Sequence, residues 1–393
     1  MMPCYKISFE ALLILAILVF SAIEASPSKS KTTEILPQKT LAQQLQYTLD
    51  SARQQTVIKG VSAAIIGPHE EIWIGVSGMS DPTINERIVP EMLFDIGSIG
   101  KNYLAALVLK LVEERRLGLD DPLWKWLPAY PNIDNKITVR QLLNHTSGVF
   151  DFVKHPQSPF SMVYKSTKIW NQEQILAELI EKPYFSSGKG WHYSTTNYIL
   201  LRMIAEKVAG SKVSSEIVRR FLSPLGLDRT VAVDPLDSIP QQALIANNWM
   251  GEFVDLAPKP QPWTSTSPDL IYATAEDVAK WMHFLYHEKV VLSQTSLEQM
   301  LDFHSPTPND PPLSGYGLGV MFVDYDLAEK LYAVKGVRLW GHGGSTHGFR
   351  AIVMYLPDQE TTISVLANGN DDKGLIQIFI GILKNLIDDF NKE

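Results

Sequence analysis

A mixed α/β (α+β) fold is predicted for this chain: an antiparallel β-sheet flanked by N- and C-terminal helices, plus an inserted all-α lobe. Three observations predict it. Short β-type apolar runs gather near the two ends of the chain. Amphipathic helices lie outside them at both ends. The stretch from about 119 to 267 is rich in Pro, Trp and Tyr and breaks into helical pieces with no clear strand alternation.

Taken in order, residues 1–25 read as a signal peptide: Lys6 precedes a 13-residue apolar run, "ALLILAILVFSAI", too short to span a bilayer comfortably. Cleavage after Ala25 is expected, with an uncleaved anchor as the alternative. The only cysteine, Cys4, precedes the run, so the mature chain would carry no thiol, which suits an oxidising compartment. Localisation is therefore expected to be periplasmic or extracellular, with no membrane span in the mature chain. Residues 26–38 are polar and read as a flexible leader.

"TLAQQLQYTLDSARQQ" places Leu41, Leu45, Leu49 and Ala52 on one helical face. "VSAAIIG" and "EIWIGVSG", joined by "PHE", form a hairpin signature that Gly78 and Pro82 end. A helix follows, with Leu104, Leu107, Val108, Leu111 and Val112 at helical spacing and Gly118 at the expected C′ position. "TVRQLLNH", "NQEQILAELI" and "TNYILLRMIAEKVAG" are helical pieces of the middle, and "AEDVAKWMHFLYHE" is a helix after it. Strands return in "GVMFVDY", "LYAVKG", "FRAIVMYLP" and "TTISVLAN", with "PDQE" a tight turn between the last two. "LIQIFIGILKNLIDDF" is the closing helix. The expected lobes are 39–118 with 268–393 for the sheet and 119–267 for the helices, with the active site in the cleft between them.

Bulk properties narrow the function. With 393 residues, 45% hydrophobic and 20% charged, the chain buries a sizeable core. A formal net charge of −8 and the lack of a basic stripe argue against a nucleic-acid partner. A lone cysteine leaves no cysteine-based metal site, and no cofactor is expected. His283 and His287 stand i, i+4, but no third ligand is evident, and two packing or surface histidines are the expectation.

Chemistry concentrates in three places. Ser98 opens a helix with Lys101 three residues on; a desolvated amine there can take the serine proton, and the helix N-terminus favours developing negative charge. Ser-x-x-Lys also occurs at Ser26, Ser28 and Ser186, so taken alone Ser98 reads as an N-cap serine, although a first-turn lysine opposes the helix dipole. Tyr193 precedes an amphipathic helix and can relay a proton, the alternative being a satisfied core tyrosine. The glycines of "GHGGSTHGF" permit close backbone approach at a strand edge, either as a plain turn or as an oxyanion hole.

Together, Ser98-Ile99-Gly100-Lys101, Tyr193-Ser194-Thr195 and His342-Gly343-Gly344 follow the order and spacing of three family motifs. The chain resembles the penicillin-recognising serine hydrolases: class C β-lactamases, DD-carboxypeptidases and family VIII-type esterases. "LLNHTSGV", "YATAEDVAKWM" and "YGLGV" are further phrases of that family, and the similarity runs from about 40 to 390. The resemblance implies a β-lactamase/transpeptidase-like fold. It implies Ser98 as nucleophile, with Lys101 and Tyr193 sharing proton handling and His342 in the place of the third-motif cation. It also implies an oxyanion hole from the N–H groups of Ser98 and Ser345, with Thr195, Gly343, Gly344 and Ser345 lining the substrate.

Two departures bear on substrate. Thr195 stands where relatives carry Asn, and a hydroxyl offers fewer bonds than an amide. His342 stands where many carry Lys, and histidine is mostly uncharged near neutrality. Ser187 before Gly188 replaces a common Pro, with little expected consequence. The expectation is an exported serine hydrolase acting through an acyl-enzyme, of DD-peptidase-like or general ester/amide type. Its substrate would be a small molecule or peptide: a peptidoglycan-type peptide, a β-lactam or an ester. The alternatives are a true class C-like β-lactamase, a non-catalytic binding protein on the same fold and, last, a metal-dependent hydrolase.

Overall fold

The computed structural model describes residues 40–158, 168–235, 237, 245–246, 248–249, 253–254, 267–268, 270–303 and 313–392. The expected signal peptide and leader lie outside the described residues.

Helix α1 (Leu41–Gln54) precedes β1 (Gly60–Ile66), β2 (Ile72–Asp81), β3 (Glu86–Arg87), β4 (Phe94–Asp95) and α2 (Gly100–Glu113). Next come α3 (Val139–Leu143), α4 (Gln172–Glu178), α5 (Thr195–Ala209), α6 (Val213–Ile217), β5 (Thr230–Val233), β6 (Asn248–Trp249) and β7 (Phe253–Val254). The rest is β8 (Leu270–Ala273), α7 (Ala275–Tyr286), α8 (Gln294–Met300), β9 (Gly315–Tyr316), β10 (Met321–Val323), α9 (Tyr325–Tyr332), β11 (Leu339–Thr346), β12 (Phe349–Leu356), β13 (Thr361–Asn368) and α10 (Asp372–Phe390).

Eight strands make the main sheet in the order β3-β2-β1-β13-β12-β11-β10-β9. The two ends of the chain meet in its middle, where β1 pairs antiparallel with β13 from Gly60↔Asn368 to Ile66↔Thr362. The strands are apolar on both faces because both are covered. On β12, Ile352, Met354 and Leu356 face a core shared with Leu45 and Leu49 of α1 and Ile378, Phe379 and Ile382 of α10. Ala351, Val353 and Tyr355 face the other way, into a core with Leu104 and Leu107 of α2 and Trp281 and Met282 of α7. The period of two in the sequence thus divides two cores.

Local signals set the helix starts. Thr40 accepts the Gln43 N–H while the Gln43 side chain accepts the Thr40 N–H, a reciprocal capping pair. Helix α2 is buried continuously from Gly100 to Leu109, so it is enclosed rather than amphipathic.

The structure departs from the sequence reading in four places. Helix α2 ends at Glu113, and it is Arg115, not Gly118, that takes the left-handed conformation, at φ 58°. "LYAVKG" is the end of helix α9 and the turn after it, not a strand. Asp324 caps that helix through the Leu327 N–H, and Ala328, Leu331 and Tyr332 bury one helical face. The middle stretch contributes β5, which pairs with β8 in a three-stranded sheet ordered β4-β8-β5, and β6 and β7, which pair with each other. Four residues were too short a run to show alternation. Finally, Ser98 is not an N-cap: it sits within a 3₁₀ turn, Gly97–Ile99, that runs straight into α2 without a side-chain cap bond.

Candidate active site

The short strand β4 delivers the chain to this 3₁₀ turn. Gly97 there has φ 51°, a left-handed value that glycine adopts without strain. Its N–H donates to Asp95 Oδ1 at 2.9 Å, bracing the turn from beneath. Ser98 is half-buried and so reachable from outside. One turn on, Lys101 is 2% exposed, and its Nζ lies 2.9 Å from Ser98 Oγ. The same Nζ stands 5.4 Å from the ring centre of Tyr193 and 5.5 Å from that of Tyr198, between two electron-rich faces.

Strand β11 closes the other side. Its approach to the serine turn depends on two glycines. A Cβ on Gly344 would stand 2.0 Å from the Ile96 carbonyl oxygen, and one on Gly97 would stand 2.9 Å from the Ser345 nitrogen. Ser345, like Ser98, is half-buried, and its backbone lies beside the serine turn. Gly343 offers its carbonyl to the His342 ring.

His342 is fully buried. Its Nδ1 lies 2.6 Å from the Gly343 carbonyl oxygen, which can only accept, so the proton is on Nδ1. Nε2 then accepts the Tyr316 hydroxyl at 3.0 Å. Burial pushes the imidazole down to about 3, with the Lys101 charge acting in the same direction against the Gly343 bond. The third-motif residue is therefore neutral throughout the physiological range.

The second motif is clamped by a segment to which the sequence reading assigned no role. His145 carries φ 62° and is fully buried, and its carbonyl accepts the His192 N–H. Thr195 begins α5, and its N–H donates to Asp151 Oδ1 at 3.0 Å. Asn197 does not stand in for the missing motif asparagine. Its Oδ1 accepts Ser147 Oγ at 2.7 Å and its Nδ2 meets His145 Nδ1 at 3.2 Å.

Asp95, His145, Asp151 and Tyr316 are the residues that sequence reasoning missed. An acid two residues before a turn glycine was the one local signal for Asp95. The phrases "LLNHTSGV" and "YGLGV" pointed to the segments of His145 and Tyr316 without a role for either. The rings of His283 and His287 lie 4.5 Å apart, tilted by 31°, at the end of α7, and no cluster of three or more metal-ligating side chains occurs among the described residues.

Burial pushes both Asp95 and Asp151 up to about 6, against the backbone N–H bonds that pull each down. A carboxyl raised in the folded state binds its proton there more tightly than in the unfolded chain. Each therefore contributes stability at low pH that is lost as pH rises from the unfolded value of 3.8 through about 6. Asp151→Asn keeps the Oδ1 acceptor without the charge. It is expected to be more stable than wild type above about pH 6, by at most about 3 kcal/mol, with the difference closing below about pH 4. Denaturant unfolding at a series of pH values checks this; a constant difference across the series contradicts it.

A buried lysine in contact with a reachable serine, beside a tyrosine and a glycine-gated strand edge, defines a serine-hydrolase-type centre on a β-lactamase/transpeptidase-like fold. The chain belongs to the family described as Beta-lactamase, whose sequence model matches residues 41–378. It is 32% identical over 156 residues to Penicillin-binding protein 4* of Bacillus subtilis, covering 39% of this chain and 33% of that protein. It is 27% identical over 212 residues to Esterase EstB of Burkholderia gladioli, covering 51% and 54%. The match thus spans a third to about half of the length of these curated relatives. A D-stereospecific amidohydrolase from Streptomyces sp. superposes with TM-score 0.70 at 27% identity, covering 85% of this chain and 97% of that one. No helix among the described residues is long and apolar enough to cross a membrane.

Proposed function

We propose that this chain is an exported serine acyl hydrolase that is acylated on Ser98 and prefers neutral ester or amide substrates over carboxylate-bearing peptides and β-lactams. The observation that carries the reading is Lys101 Nζ held 2.9 Å from Ser98 Oγ out of solvent. Export rests on the apolar run and cleavage site within residues 1–25.

In acylation, a bond forms between Ser98 Oγ and the substrate carbonyl carbon as the serine proton passes to the Lys101–Tyr193 pair. Charge gathering on the carbonyl oxygen is received by the N–H groups of Ser98 and Ser345. The carbon–leaving-group bond then breaks, and Tyr193 returns the proton to the departing oxygen or nitrogen. Water repeats the sequence on the acyl-enzyme and restores Ser98.

The neutrality of His342 argues for the substrate preference. A substrate carboxylate gains most from a charge-assisted partner, and this position supplies none. Two of the similar proteins, an esterase and a D-stereospecific amidohydrolase, support the same direction.

The test is a panel of p-nitrophenyl esters, amino-acid amides, a D-Ala-D-Ala peptide and nitrocefin, alongside fluorophosphonate labelling. Turnover of esters or amides with labelled Ser98 supports the proposal; a wild-type protein that neither labels nor turns over any of them is a binding protein on this fold. His342→Lys is expected to raise kcat/KM for a carboxylate-bearing substrate, relative to its methyl ester, by roughly tenfold. An unchanged ratio removes His342 as the source of the preference.

A further inference from the structure

His145 belongs to none of the three motifs, yet it lies at the centre of the site. Its ring is 4.3 Å from that of Tyr193, 4.8 Å from that of Tyr316 and 5.4 Å from that of Tyr198. The segment around it grips the chain on both sides of Tyr193. On one side the His145 carbonyl accepts the His192 N–H at 3.1 Å. On the other, His145 Nδ1 accepts the Ser194 N–H at 3.2 Å. Asn197 Nδ2 reaches the same Nδ1, and Ser147 Oγ donates to Asn197 Oδ1, so the imidazole is held in turn.

These bonds decide the tautomer. A backbone N–H can only donate, so Nδ1 carries the lone pair. Burial, with the Lys101 charge next, holds the ring well below its ordinary range and therefore neutral. The single ring proton is on Nε2, and among the described residues that atom is fully buried without a hydrogen-bond partner. What the structure does use is the Nδ1 lone pair, aimed at the peptide that follows Tyr193.

We propose that His145 is a positioning residue of the reaction. As a neutral imidazole whose Nδ1 accepts the Ser194 N–H, it fixes the Tyr193–Ser194 turn and so aims the Tyr193 hydroxyl at the leaving group. This deepens the hydrolase reading above and rests on it.

The consequence is specific. If Tyr193 protonates the leaving group, a misdirected phenol harms substrates with poor leaving groups most. A p-nitrophenolate needs little protonation, whereas an alkoxide or an amine needs it fully. His145→Leu removes the acceptor. It is expected to lower kcat for an alkyl ester or an amide by at least about tenfold with KM nearly unchanged, and to lower kcat for the matching p-nitrophenyl ester far less. His145→Asn, whose side-chain oxygen can be placed where Nδ1 stood, is expected to restore much of the loss. If His145→Leu does not fold, His145→Gln takes its place, since its amide cannot reach that position without shifting.

Equal losses for good and poor leaving groups overturn the proposal, as does a His145→Asn variant no better than His145→Leu or His145→Gln. Wild-type protein inactive on every substrate removes the hydrolase reading and this one with it. Wild-type turnover whose leaving-group dependence is unmoved by the His145 variants removes this one alone.

Discussion

Ser98→Ala is expected to lose turnover of every substrate by about four orders of magnitude or more, and to lose fluorophosphonate labelling completely. The reason is chemical rather than structural. Ser98 is half-buried at the mouth of the site, and its Oγ is the atom that Lys101 Nζ contacts at 2.9 Å. Removing that one atom deletes the proposed nucleophile and leaves packing untouched, so the unfolding midpoint should move little. Lys101→Ala is expected to be comparably inactive, because an unassisted serine hydroxyl is a weak nucleophile. The double variant should be scarcely worse than either single one, since the two groups act as a unit. Turnover measured on purified variants, with labelling as a second readout, decides the matter. Full turnover by Ser98→Ala would remove the acyl-enzyme mechanism.

Gly344→Ala is expected to damage both stability and activity. The added Cβ would stand 2.0 Å from the Ile96 carbonyl oxygen, and both partners are backbone, so no side chain can rotate away. Strand β11 is further held by its register on β12, from Trp340↔Tyr355 to Thr346↔Phe349. The strand and the serine turn must therefore separate, at a cost of about 3 kcal/mol. That separation moves the Ser345 N–H away from Ser98, so kcat should fall with the stability. Ser345→Ala is the informative companion. If the hole uses the Ser345 backbone N–H, deleting the side chain leaves most of kcat intact. Denaturant unfolding and steady-state kinetics on the pair separate the effects. A Gly344→Ala variant with wild-type midpoint and kcat would mean that the close approach is not needed.

Much of this architecture was legible before the structure. Helix α1, the β1–β2 hairpin and the β12–β13 pair show their period in uninterrupted runs, and α10 shows its helical stripe. The antiparallel sheet built from both chain ends follows from those runs. Errors fell where local pattern was short or ambiguous: four residues of β5, the apolar end of α9, and the last turn of α2. The positions of Ser98, Lys101, Tyr193 and the His342–Ser345 strand were marked by motif order. The supporting residues were not. Asp95 braces the Gly97 N–H two residues on, whereas His145, Asp151 and Tyr316 are single residues whose roles come from neighbours far away in the chain.

Residue type and spacing along contiguous segments were enough to establish the fold class, the family resemblance and the serine–lysine pair three residues apart. Those are properties a run of neighbouring residues carries within itself. Folding added the charge state of His342, the grip of His145 on the Tyr193 turn and the backbone contact between Gly344 and Ile96. Each depends on desolvation or close approach among groups brought together from distant parts of the chain, which no local pattern records.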